Sequence, residues 1–366
     1  MKKQVFILCL ILIGCGRNDS QNQKGYQTEN VILITLDGVR WEDVFYGADQ
    51  GITNDTLFVK DVEKTSGEFW NDDYQVRRKT VFPFLWGTVG VNGQLYGNKQ
   101  KGSIMHLTNP NWFSYPGYSE LLVGFNDDSV NSNAKEWNPN INVLEFLDNQ
   151  VAFKNKVAAF ASWDVFDWII NKDRNTFTIN SGGFPFVDSL LTPKQQWLNA
   201  FISDVPTQWN TSVRWDAFTF EYAFEYLRLN KPRVLYIAFD ETDEYAHEGQ
   251  YDKYLISARK IDGYIEQIWQ WVQSHNQYKN KTTLIISTDH GRGVHKGGTW
   301  RSHGDEYPGA EFTWSAIMGP DTPGLGEMTN TDTITTSQIA ATFTHLLGYD
   351  YESNRPVGSV IKGMIK

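Results

Sequence analysis

The sequence predicts an α/β fold: a three-layer sandwich with a mostly parallel central sheet and helices on both faces. Two observations carry this. Four short β-branched runs are almost continuously apolar, as strands covered on both faces must be. Segments with helical periodicity lie between them, and strands alternating with helices build parallel sheets. The chain has 366 residues, 40% hydrophobic and 21% charged, which suits one large α/β domain or two ordinary ones and excludes wholesale disorder.

The first element is not part of that fold. Lys2 and Lys3 precede a short apolar run, Val5 to Ile13, and then Gly14. The run is too short to span a membrane and reads as a secretory signal peptide over residues 1–14. Leu12-Ile13-Gly14-Cys15 resembles a bacterial lipobox, which implies Cys15 as a lipidated first residue. The expectation is an exported lipoprotein, periplasmic or at the cell surface and membrane-anchored; the alternative is a plain signal peptide with a chance cysteine. Residues 15–29 are polar and read as a flexible tether, with residues 30–366 as a single α/β domain. No later apolar run is long enough to cross a membrane.

Within that domain Val31–Leu36 reads as a buried strand ending at Asp37. Lys156–Ala161, Val234–Phe239 and Thr283–Thr288 are the other three, the last two leading to Asp240 and Asp289. Asn142–Asn149 and Tyr254–Val272 are predicted as amphipathic helices, the second with Leu255, Ala258, Ile261, Ile265, Ile268 and Val272 on one stripe. Ser337–Leu347 is a helix ending before Gly348. Residues 55–110 and 165–215, rich in Trp, Asn, Gly and Pro, read as insertions around the sheet. Aromatic residues form 14% of the chain, chiefly for packing, with stacking of a ring-bearing substrate as the minor reading.

A net charge of −10 without a basic block argues against binding duplex nucleic acid, which requires cations to displace counterions. Carboxylates can instead hold metal ions. Two cysteines exclude a disulfide framework and a cysteine-based zinc site. Asp37, Asp240, Asp243 and Asp289 follow apolar strands, and ligands of open α/β sheets collect at strand carboxyl ends. Acids gathered there repel unless something positive lies between them. Asp243 and His247 share a face if helical, His290 follows Asp289, and His303 lies fourteen residues beyond Asp289. Asp and His without Cys suit zinc or a similar divalent ion. Ser114, in Ser114-Tyr115-Pro116-Gly117, opens a segment that reads as a helix stopping at Gly124. Alone it is an ordinary N-cap; beside a metal it becomes a usable nucleophile.

The ordered set Asp37-Gly38, Ser114-x-Pro116-Gly117, Asp243-x-x-x-His247, Asp289-His290-Gly291 and His303-Gly304 resembles the alkaline phosphatase superfamily over roughly residues 30 to 350. Within it the chain looks most like the type I phosphodiesterase/nucleotide pyrophosphatase branch. The resemblance implies an alkaline-phosphatase-like fold and two divalent ions, zinc in most relatives. One would be held by Asp37, Ser114, Asp289 and His290, the other by Asp243, His247 and His303. It implies a serine phospho-enzyme and a small phosphate ester or diester as substrate. An asparagine donating to a phosphoryl oxygen is carried over to Asn133, with Asn131 close behind.

Gly117 stands where many diesterases have Asn. The 156–175 region, with Ser162-Trp163-Asp164, lacks the Lys-x-Arg pattern associated with dianionic monoesters, which weakens the monoesterase alternative. Arg292, Lys296 and Arg301 lie near the site in sequence and fit either a charge-supplying or a surface role. His295 is the alternative to His303. A serine-type sulfatase would need Arg where Tyr118 stands. A glycan-binding surface lipoprotein without catalysis is the reading from a different class.

Overall fold

The computed structural model describes residues 25–366 apart from 189, 207, 208, 210, 211 and 295. Cys15, the signal segment and His295 therefore lie outside the described residues. Among the described residues there are ten strands: β1 (Asn30–Leu36), β2 (Gln94–Tyr96), β3 (Met105–His106), β4 (Val157–Ala161), β5 (Thr178–Ser181), β6 (Val234–Phe239), β7 (Thr282–Ser287), β8 (Ser315–Met318), β9 (Gly326–Glu327) and β10 (Ile334–Thr335). Eight form one sheet in the order β5-β4-β6-β1-β7-β8-β2-β9, while β3 and β10 pair separately. β5, β4, β6, β1 and β7 are mutually parallel; β8 runs antiparallel to both β7 and β2.

The continuous hydrophobicity of the central strands has a direct cause. Successive side chains point to opposite faces, and both faces are covered. Ile32, Ile34, Leu36, Leu235, Ile237 and Phe239 pack on one side with the helices Asp216–Asn230 and Tyr251–Ser274. Val31, Leu33, Val234, Tyr236 and Ala238 pack on the other with helices Ser114–Val123, Val143–Asp148 and Gln338–Leu346. The long helix extends the predicted stripe by three residues at its start and two at its end, with Leu255, Ala258, Ile261, Ile265, Ile268 and Val272 all buried. Asn142 caps the helix it precedes, accepting from the Leu144 and Glu145 N–H groups.

The two stretches read as insertions contain strands as well as helices. Residues 55–110 contribute β2 to the sheet, and residues 165–215 contribute the edge strand β5. No helix among the described residues is long and apolar enough to cross a membrane.

Candidate metal centre and nucleophile

The strand order places the acidic residues together. β6 and β7 flank β1, with Leu36 opposite Phe239 and Thr35 opposite Ser287. Asp37, Asp240 and Asp289 therefore emerge side by side at the carboxyl edge. Gly38 turns the chain away at φ 57°, and its N–H donates to Asp289 Oδ1 at 3.1 Å. A helix, Glu241–His247, starts directly after Asp240 and brings His247 Nε2 to 3.0 Å from Asp243 Oδ2. His303 arrives from the loop beyond β7. Its neighbour Gly304 donates to the Trp112 carbonyl at 2.9 Å, tying this loop to the segment before Ser114.

That segment is fixed by its own helix. Glu120, only 1% exposed, accepts the Thr108, Asn109 and Ser337 N–H groups and the Asn109 amide. Phe113 occupies the cap position without a side-chain cap bond, and Ser114 is the first helical residue. The serine hydroxyl is thus not spent on the helix end; its Oγ stands 3.2 Å from His290 Nε2. Asn133 Oδ1 accepts from the Tyr115 N–H at 3.0 Å, which leaves its amide NH2 to donate beside the same helix end. Asn131 instead donates to Asp128 O in an exposed turn, so of the two it is Asn133 that meets the Ser114 helix. Gly117 explains itself sterically: a Cβ there would lie 2.5 Å from the Asp289 carbonyl oxygen.

All seven predicted ligand residues are brought into one focus. Ligand atoms of Asp37, Asp289 and His290 lie within 4.8 Å of one another, as do those of Asp243, His290 and His303. His247 Nε2 lies 2.9 Å from His303 Nε2. The two groups adjoin through His290, whose Nε2 is 3.3 Å from Asp37 Oδ1, 3.3 Å from Asp289 Oδ2 and 3.9 Å from Asp243 Oδ1.

The electrostatics fit a cation. His290 Nδ1 faces the Gly291 carbonyl at 2.8 Å and must donate to it. In the neutral imidazole, Nε2 then carries a lone pair pointed at two carboxylates. Asp37 Oδ1 and Asp289 Oδ2 are buried and make no hydrogen bond among the described residues. Burial, followed by Asp243, pushes the Asp37 carboxyl well above its usual range; burial, followed by Asp37, does the same to Asp289. Burial also holds the His303 imidazole well below its usual value, favouring the neutral, ligating form. Asp243 differs: burial raises it, but Arg292 above all, with His247 and His303, more than reverses this and keeps it ionised. A divalent ion would supply what the remaining carboxylates lack.

Other predicted positions separate clearly. Arg292 is 1% exposed and contacts Asp243, whereas Arg301 is exposed and offers its carbonyl to Arg292. The Lys296 side chain lies outside the described set. At 162–164 a carboxylate faces the loop that carries Asn133: Asp164 binds Lys135 at 2.6 Å and accepts from Ser212 at 2.9 Å. Two contributors went unrecognised in the sequence. Tyr118 OH donates to Asp37 Oδ2 at 2.9 Å and Thr242 Oγ1 to Asp37 O at 2.7 Å. Tyr118 is four residues after Ser114, on its helix face, which was the available signal.

A doubly covered sheet with an acid-and-histidine focus at its carboxyl edge and a serine at a facing helix end defines an alkaline-phosphatase-like hydrolase. Solved structures agree on the fold. A mutant of the alkaline phosphatase PafA matches with a TM-score of 0.60 at 9% identity, covering 93% of this chain and 99% of that one. The lipoteichoic acid synthase LtaP from Listeria monocytogenes gives 0.57 at 10%, covering 90% and 74%. The phosphonate monoester hydrolase of Agrobacterium radiobacter gives 0.54 at 12%, covering 92% and 77%. No curated protein matches the sequence. Residues 46–295 match the family described as type I phosphodiesterase / nucleotide pyrophosphatase, and the chain belongs to that family. The matched stretch contains Ser114, Asp243, His247, Asp289 and His290; Asp37 and His303 lie just outside it.

Proposed function

We propose that the protein is a metal-dependent phosphoric ester hydrolase that prefers diesters or pyrophosphates and works through a phosphorylated Ser114. The observation that carries this is Ser114 Oγ, unused as a cap and 3.2 Å from His290 Nε2 at a focus of buried, unsatisfied carboxylate oxygens. Two divalent ions, one held by Asp37, Ser114, Asp289 and His290 and the other by Asp243, His247 and His303, would acidify hydroxyl groups and neutralise phosphoryl charge. Ser114 gives up its hydroxyl proton as Oγ attacks phosphorus; an O–P bond forms, the bond to the leaving oxygen breaks, and that oxygen takes up a proton. Water then hydrolyses the phosphoserine and regenerates the hydroxyl. Asn133, with its carbonyl oxygen held by Tyr115 N–H, offers its NH2 to a phosphoryl oxygen. The stretch Ser162-Trp163-Asp164 offers no cation of its own for a dianionic monoester, which favours the singly charged diester.

The test is initial rates of the zinc-loaded soluble form on nitrophenyl phosphate and bis-nitrophenyl phosphate. Faster diester cleavage, abolished in a folded Ser114→Ala chain, is the expected result. Faster monoester cleavage overturns the diester preference, and normal turnover by Ser114→Ala overturns the nucleophile. On the N-terminal sequence alone we further propose export and anchoring through lipidated Cys15.

A further inference from the structure

Arg292 occupies an unusual place for an arginine. It is 1% exposed, and its guanidinium is enclosed by three segments that carry ligand residues. Nε donates to the Gly38 carbonyl at 2.9 Å, immediately after Asp37. Nη1 donates to the Arg301 carbonyl at 2.8 Å, two residues before His303. Nη2 donates to the Asp243 carbonyl at 3.2 Å and pairs with Asp243 Oδ1. Arg292 itself stands three residues after Asp289 and two after His290. One planar fork therefore touches every segment of the cluster except the Ser114 helix.

A buried charge persists only where it is paired and hydrogen-bonded. Here the pairing is directional, because a guanidinium offers its donors in a fixed plane, unlike an ammonium. Gly38 shows how closely the fork is fitted: a Cβ there would lie 2.7 Å from both Arg292 Nη2 and Asp243 Oδ1. Groups that orient metal ligands from behind contribute to metal affinity without touching the ion.

We infer that Arg292 is a positioning residue that sets the Asp243 carboxylate, and with it the Asp243–His247–His303 half of the centre, at metal-binding spacing against the Asp37 half. This rests on the metal-dependent reading above, but its test reads metal binding and not turnover. Zinc titrated calorimetrically into metal-free protein should give two binding events in the native chain. In Arg292→Met one event should weaken roughly ten- to a hundred-fold while the other persists. Arg292→Lys, which keeps the charge and loses the fork, should fall between.

Circular dichroism identifies which variants are folded. If Arg292→Met does not fold, the Arg292→Lys chain decides the matter. Folded variants that bind two zinc ions with native affinity overturn the inference. A native chain that binds two zinc ions yet cleaves no ester refutes the proposed function and leaves this inference standing. A native chain that binds none overturns both.

Discussion

Replacing Gly117 by alanine tests whether the helix carrying Ser114 is held against the strand end at Asp289 by direct backbone contact. Gly117 lies one turn beyond Ser114. An alanine Cβ would meet the Asp289 carbonyl oxygen at 2.5 Å, its carbonyl carbon at 3.0 Å and its Cβ at 3.4 Å. The first of these is well inside van der Waals contact, and the obstacle is backbone at the sheet's carboxyl edge, which has no rotamer to change. The helix must retreat by at least about half an ångström to restore even a tight contact. Overpacking of this kind costs about 1–3 kcal/mol, against about 1 kcal/mol that alanine gains over glycine in a helix. The retreat carries Ser114 Oγ away from His290 Nε2. Misplacing a reacting group by about 1 Å costs about a hundred-fold in rate, so roughly ten-fold or more is expected here. The assay is diesterase kcat of zinc-saturated protein, with thermal unfolding in parallel. Gly263→Ala is the control, since it lies inside helix Tyr251–Ser274 with nothing within 4 Å of its Cβ. It should keep native kcat and gain about 0.5–1 kcal/mol. Native kcat in Gly117→Ala would refute the contact argument.

Two further outcomes follow from other sites. Asp262, 2% exposed, accepts the Phe84 and Leu85 N–H groups, and burial nevertheless pushes its carboxyl up to about 7. The folded chain therefore holds a proton that the unfolded chain releases near pH 4, so this contribution is complete below about pH 4 and is lost as pH rises through 7. Urea unfolding at pH 5 and 8 should show a stability loss, at most about 3 kcal/mol over the two pH units between 5 and 7, that Asp262→Asn removes; identical pH slopes in both chains would contradict it. Labelled palmitate fed to an expressing bacterium should be incorporated by the native chain and not by Cys15→Ser, and equal labelling of both would exclude acylation at Cys15.

The parts of the site that the sequence made legible share a physical cause. Asp37, Asp240 and Asp289 each end a run so apolar that it had to be a buried strand, and a charge at such a boundary marks the sheet's edge. Asp243 and His247 were readable from helical spacing alone. Ser114 was readable as a helix start but not as an uncapped one, because Phe113 taking the cap position depends on Glu120 holding residues 108 and 109. Arg292 was ambiguous because loops impose no periodicity; its burial is created by Gly38 and Asp243, more than two hundred and about fifty residues away in the chain. The short strands β2 and β9, which with β8 complete one side of the sheet, are set by long-range pairing and carry no strong local pattern.

The placement of β1 between β6 and β7 also governs when the centre can exist. The Leu36–Phe239 and Thr35–Ser287 pairings close loops of about two hundred and two hundred and fifty residues, among the last contacts a chain can afford to form entropically. Until both are in register, Asp37, Asp243 and Asp289 are strangers, and no ion can find its ligands together. On the metal-dependent reading proposed above, an ion cannot nucleate this fold. It would act afterwards, by mass action on the finished molecule, so metal retention would report that all three strands have found their places.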